Sequence, residues 1–171
     1  MKIPLRPSRL TVRRQTVKYI IIHHTAELYP APESKIDNAK YQMPGLFKGV
    51  LEDKTADVNY HYVIDKIKDE YVPIVCRPFI YLCEWDDIHD DINKRSVHVA
   101  LMGNYGYKVP EKRLYEILAF RVLNPFMKMF HITPNKIKFH NEVTNIKDLT
   151  CPGDFIDKEI VISMVRRFVI K

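Results

Sequence analysis

The chain has 171 residues, 46% of them hydrophobic and 28% charged, which is the size and composition of one globular domain able to bury a core. No apolar run approaches the roughly 20 residues of a membrane-spanning helix, and neither an internal repeat nor a low-complexity tract interrupts the sequence. The net charge of +6 favours polyanionic surroundings, yet Lys and Arg are spread along the chain without forming a block, so no nucleic-acid partner is expected.

Residues 1–15 read as an N-terminal arm, with Pro4 and Pro7 favouring extended backbone and Lys2, Arg6, Arg9, Arg13 and Arg14 making it basic. The apolar stretch behind it, Tyr19–Ile22, is too short for a secretory h-region and runs straight into His23. No signal peptide is therefore expected, and the chain should be cytoplasmic at synthesis. Residues 16–171 are expected to form a single domain. Thr16–His23 reads as a buried strand, because Val17, Tyr19, Ile20, Ile21 and Ile22 are β-formers in a short apolar run. Pro30 and Pro32 break the chain, and Ser34 is a candidate N-cap for a helical stretch interrupted at Pro44-Gly45.

Asn59–Asp65, Glu70–Val75 and Phe79–Cys83 are further strand candidates. Glu84–Arg95, rich in Asp and Asn, reads as a loop. Ser96–Met102 is a strand ended by Gly103-Asn104. Pro110 suits the first turn of a helix carrying Leu114, Ile117, Leu118, Arg121 and Val122 at helical spacing, and Pro125 should kink or end that helix. Ile137–His140 reads as a short strand and Asp157–Val169 as an amphipathic helix. This mixture predicts an α/β domain with helices covering the sheet.

Two strand candidates end in histidine, at His23 and His140, and Cys151 follows His140 by eleven residues. Two imidazoles and a thiolate are donors that Zn²⁺ prefers, and three protein ligands leave a fourth position for water, as in a catalytic site. The reaction class this suggests is hydrolysis of an amide or ester. Taken singly, each histidine reads more readily as a hydrogen-bonded core residue, and the three donors have no fixed spacing. An odd count of three cysteines argues against a disulfide framework, and Cys76 and Cys83 are expected in the core. His24 and His61 alternate away from His23 and Tyr60 along their strands, so both read as structural. His89 lies with Asp86, Asp87, Asp90 and Asp91 in what reads as a solvated loop, with a cation site or substrate rim as alternatives. Trp85 is open between stacking on a sugar and anchoring that loop. His131 is expected at the surface.

Four motifs stand in one order: Ile-Ile-Ile-His-His-Thr-Ala from Ile20, Asn-Tyr-His-Tyr-Val-Ile-Asp from Asn59, Ser-Val-His-Val-Ala-Leu-Met-Gly-Asn-Tyr from Ser96, and His140-Asn-Glu-Val followed by Thr150-Cys-Pro-Gly. Their order resembles the zinc-dependent N-acetylmuramoyl-L-alanine amidases of the type-2 amidase family, which includes amidase-type phage lysozymes and peptidoglycan recognition proteins. The resemblance spans roughly residues 16 to 168. It implies a central mixed β-sheet flanked by helices, a zinc cleft on one face, and cleavage of the amide between N-acetylmuramic acid and L-alanine in peptidoglycan. It places His23, His140 and Cys151 as zinc ligands and Tyr60 as the residue that assists catalysis. The family's usual Lys or Thr two residues before the ligand cysteine is replaced by Leu149, which leaves Thr150 and Lys147 as candidates for oxyanion stabilisation. His98 stands where the family's strand motif commonly has Gly, and Ala100 where some subfamilies carry a catalytic Glu. Arg77 and Arg95 are candidates for stem-peptide carboxylates. A compact, basic catalytic domain of this kind fits a monomeric phage endolysin that reaches the wall through a holin or another export route. The alternative, suggested by Leu149, is a peptidoglycan-binding or regulatory module without hydrolysis.

Overall fold

A computed structural model describes residues 10–26 and 58–169. Its centre is a five-stranded mixed sheet, β1 (Tyr19–His24), β2 (Tyr62–Ile67), β3 (Glu70–Val75), β4 (Ser96–Leu101) and β5 (Ile137–Phe139), in the order β3-β2-β4-β1-β5. β2 and β3 pair antiparallel, while β2–β4, β4–β1 and β1–β5 are parallel. Lys68 and Asp69, both with positive φ, close the β2–β3 hairpin, the backbone a tight two-residue turn demands. β1 and β4 are interior parallel strands covered on both faces. This is why β1 runs apolar without alternation, with Ile20, Ile21 and Ile22 all at 0% exposure, and why Ser96 and His98 of β4 are as buried as Val97 and Val99.

The helices are α1 (Asp90–Lys94), α2 (Lys112–Ile117), a π-helical segment (Leu118–Leu123), α3 (Asn124–Phe130) and α4 (Lys158–Val169). Leu114, Leu118, Val122, Phe126, Val161 and Val165 pack on the sheet face that carries Ile20, Ile22, Val97, Val99 and Leu101. The opposite face carries Ile21, Val63 and Ala100, met among the described residues by Trp85, Ile88 and Val143 from loops. Asp157 Oδ1 accepts the Glu159 and Ile160 amides at 2.8 and 3.1 Å, so the expected first residue is the N-cap and α4 begins one residue later, at Lys158.

Several expectations need correction. Pro125 ends nothing: backbone angles stay helical through Leu123 and Asn124, and the widened π turn just before the proline accommodates a ring that would meet the carbonyl four residues back. Pro110 lies before the helix, whose N-cap is Glu111. Glu84–Arg95 holds α1, supported by Asp90–Lys94 and Asp91–Arg95 pairs at i,i+4 spacing. Phe79–Cys83 is no strand and keeps a single bridge, Tyr81 to Val12. Three of its carbonyls go to side chains instead: Phe79 to Arg13 Nε at 2.9 Å, Tyr81 to His61 Nε2 at 3.0 Å and Leu82 to Arg77 Nη1. Arg13 also donates to the Lys94 and Ser96 carbonyls, at 2.6 and 2.7 Å, and so ties the N-terminal segment to the start of β4. The helical stretch expected after Ser34 lies outside the described residues, as do Pro4 and Pro7.

Candidate metal centre

The strand register brings two histidines together. On the parallel pair β1–β5, Ile22 lies opposite Phe139, so the next residues, His23 and His140, leave the sheet side by side at its carboxyl edge, where open α/β sheets place their ligands. Their ring centroids are 4.5 Å apart. Because Ile22 and Phe139 face the helices, both imidazoles take the other face. β5 stops at Phe139, and His140 opens a 3-10 turn, His140–Glu142, in which Glu142 Oε2 accepts the Phe139 amide at 2.6 Å.

Cys151 arrives from the loop beyond. Its carbonyl accepts the Asn141 amide at 2.9 Å and its Sγ accepts the His24 amide at 3.4 Å, so both strand ends hold it. Two residues on, Gly153 has φ +102°, and a Cβ there would stand 2.3 Å from the Tyr105 carbonyl carbon. Only glycine permits this close approach. The donor atoms of His23, His140 and Cys151 all lie within 4.8 Å of one another, and all three residues are buried. Cys151 Sγ is 4.0 Å from His23 Nδ1, against about 3.6 Å expected for a thiolate and an imidazole sharing one tetrahedral Zn²⁺. Two imidazoles and one thiol at these separations fit that ion.

Burial sets the protonation of the donors. It holds His23 well below the usual histidine range, helped by His140 and His24, so its ring is neutral. His140 is lowered by burial against an opposing pull from Asp87, whose Oδ2 lies 2.8 Å from Nε2. Burial pushes the Cys151 thiol up to about 12.

Around the donors, Trp85 stacks on His23 at 4.6 Å and donates Nε1–H to the Asn59 carbonyl at 3.2 Å. It anchors its loop against the centre. Tyr60 packs edge-on to His23, centroids 5.4 Å apart. Lys147 and Thr150 are exposed and Leu149 is half-buried on the loop that leads to Cys151. His24 is half-buried and its Nδ1 accepts the Tyr105 amide at 3.2 Å, while His61, Cys76 and Cys83 are buried. Arg77 is buried too, donating to Asn59 Oδ1 and to the Leu82 carbonyl, so it is not presented to a ligand as anticipated. Arg95 pairs with Asp91. His131 is exposed, as expected.

Three residues near the centre escape a reading of the sequence. Asp87, taken for one carboxylate of a solvated loop, turns inward to His140 and accepts from Thr144 Oγ1 at 3.1 Å. Asn59 braces Trp85, Arg77 and the Glu84 backbone; its place in the Asn-Tyr-His-Tyr motif was the only signal. His98 is fully buried beside His23; its place where the family's strand motif commonly has Gly was the only signal.

The family model described as N-acetylmuramoyl-L-alanine amidase matches residues 13–154. No curated protein matches the chain in sequence. Among solved structures, the endolysin N-acetylmuramoyl-L-alanine amidase LysCS from Clostridium intestinale URNW superposes with a TM-score of 0.65 at 17% identity, covering 99% of this chain and 95% of that one. A selenomethionine derivative of AmpD gives 0.67 at 15% identity, with 96% and 93% covered. A mutant of Drosophila PGRP-LB in complex with tracheal cytotoxin gives 0.61 at 23% identity, with 90% and 85% covered. At these identities the likeness is one of fold.

Proposed function

This chain belongs to the N-acetylmuramoyl-L-alanine amidase family, and on that premise we propose that it hydrolyses the amide between N-acetylmuramic acid and L-alanine in peptidoglycan, with Zn²⁺ held by His23, His140 and Cys151. The observation that carries this reading is the convergence of those three buried donor sets, from three separate segments, within 4.8 Å. Bound zinc would supply a Lewis acid that polarises the scissile carbonyl and eases deprotonation of water. Water adds to the lactyl carbonyl carbon, the C–N bond breaks, and the departing L-alanine nitrogen takes a proton. To Tyr60, edge-on to His23, we assign a hydrogen bond from the phenol to the developing oxyanion, which adds no charge beside it. Thr150 and Lys147, on the Cys151 loop, are the polar groups proposed to complete that stabilisation where Leu149 cannot. Trp85 and Asn59 hold the wall of the centre in place.

In keeping with the endolysin among its structural neighbours, we propose a phage lysis enzyme, which would reach the wall through a holin or another export route. The neighbour bound to tracheal cytotoxin supports a muramyl peptide as the group recognised. No helix among the described residues is long and apolar enough to cross a membrane. We take the active form to be a monomer. Leu149, with Lys147 and Thr150 exposed, favours a second reading, a peptidoglycan-binding module without hydrolysis. Clearing of a suspension of purified cell walls separates the two. The amidase is expected to clear it, to stop when a chelator removes metal, and to resume when zinc is restored. Binding to the walls without clearing on any wall type would select the binding module.

A further inference from the structure

Four histidine rings line the site face of the sheet, and one of them does work that the ligand set leaves unassigned. His98 lies on β4 opposite Ile21, two residues before Ala100, which faces His23. Its ring therefore stands diagonally beside that of His23, and His23 Nε2 is 3.0 Å from His98 Nδ1. His23 Nδ1 is the nitrogen that faces Cys151 Sγ. The two ring nitrogens of His23 thus have separate partners, the thiol on one side and His98 on the other.

We infer that His98 is a positioning residue: its Nδ1 accepts the Nε2 proton of His23, which fixes the His23 tautomer and ring plane so that Nδ1 presents its lone pair to the metal. A metal-binding histidine needs such a partner on its second nitrogen, usually a carboxylate, a carbonyl or water. Here a neutral imidazole takes that place. His98 is itself held from behind: its backbone amide donates to His61 Nδ1 at 3.0 Å, and His61 Nε2 donates to the Tyr81 carbonyl at 3.0 Å. With Nδ1 accepting, the only proton of His98 sits on Nε2, which is fully buried and finds no hydrogen-bond partner. An apolar residue would fill this position without stranding a polar atom. What the histidine adds is the acceptor aimed at His23.

The inference rests on the zinc reading above, and the test keeps the two apart. Zn²⁺ affinity is measured by competition with a chromophoric chelator for wild type, His98→Phe and His98→Asn, beside thermal melts of the metal-free proteins. Phe keeps a ring but removes the acceptor; Asn places an amide oxygen near the position of Nδ1. His98→Phe is expected to lose about 10–100-fold in zinc affinity, and His98→Asn to recover most of it, while the metal-free melts do not follow that order. The Co²⁺ spectrum should report the same ranking as a change in the histidine–thiolate ligand field. If His98→Phe fails to fold, His98→Asn against His98→Ala gives the same comparison. Zinc binding by a folded acceptor-less variant within about twofold of wild type, or failure of Asn to exceed Phe, overturns the inference alone. A wild-type protein that binds no zinc overturns the amidase reading and this inference together.

Discussion

As the proposed thiolate ligand, Cys151 would couple proton and metal in one side chain. Burial raises its pKa to about 12, so the metal-free protein carries it as a thiol at neutral pH. Burial lowers His23 and His140, so both are already neutral there. Metal uptake therefore expels one net proton, from Cys151. The sign follows: zinc affinity should rise with pH, about tenfold per unit between about pH 7 and 9, in chelator competition. A flat profile would mean that the thiolate forms without the metal. Tyr60 makes a second prediction. Tyr60→Phe should lower kcat by about 10²–10³-fold with zinc content unchanged, because the role proposed for the phenol is on the reacting oxygen and not on the metal. Loss of zinc in that variant would make it a structural residue. At this scale the sequence shows which side chains have the chemistry, since two histidines and a cysteine are conspicuous donors. It does not show who stands behind them. Asp87 looks like its neighbours Asp86, Asp90 and Asp91 until the loop folds its carboxylate onto His140.

The elements that carry the donors are short and depend on their flanks. β1, β3 and β4 were legible because apolar β-branched runs bounded by turns have few alternatives. The 79–83 segment has the same composition, yet Arg13, His61 and Arg77 take the carbonyls a ladder would use. Local propensity cannot foresee that competition. Pro125 misleads because the π turn that tolerates it, in a segment whose Leu118 and Val122 pack in the core, leaves no mark in the spacing of apolar residues. The Cys151 loop depends on Gly153, whose φ of +102° and contact with the Tyr105 backbone admit no side chain. Gly153→Ala should cost at least about 1–3 kcal/mol, lower Tm and shift Cys151 enough to weaken zinc binding. Thermal melts and metal content check both effects. An unchanged Tm would show that the loop does not need the close approach.

The whole molecule divides its labour by sheet face. One face and the long helical run build the core; the other collects His23, His61, His98 and His140 with the loops that bear Trp85, Asp87 and Cys151. The α/β architecture was legible from alternating patterns, and the mixed sheet flanked by helices followed from the order of four motifs. The division of faces was only partly legible: Ser96, His98 and Ala100 alternate with Val97, Val99 and Leu101 along β4, but on β1 Ile21 aims at the centre and is as apolar as Ile20 and Ile22, which aim at the helices. Only the register, Ile22 against Phe139, turns two distant histidines into neighbours.

That convergence is the central claim, and one paired measurement tests it: zinc content, and release of free L-alanine amino termini from purified peptidoglycan, for wild type and Cys151→Ser. The account predicts about one zinc per wild-type chain with those termini released, and neither from Cys151→Ser. Cys151→Ser protein that still released L-alanine termini at the wild-type rate would contradict it.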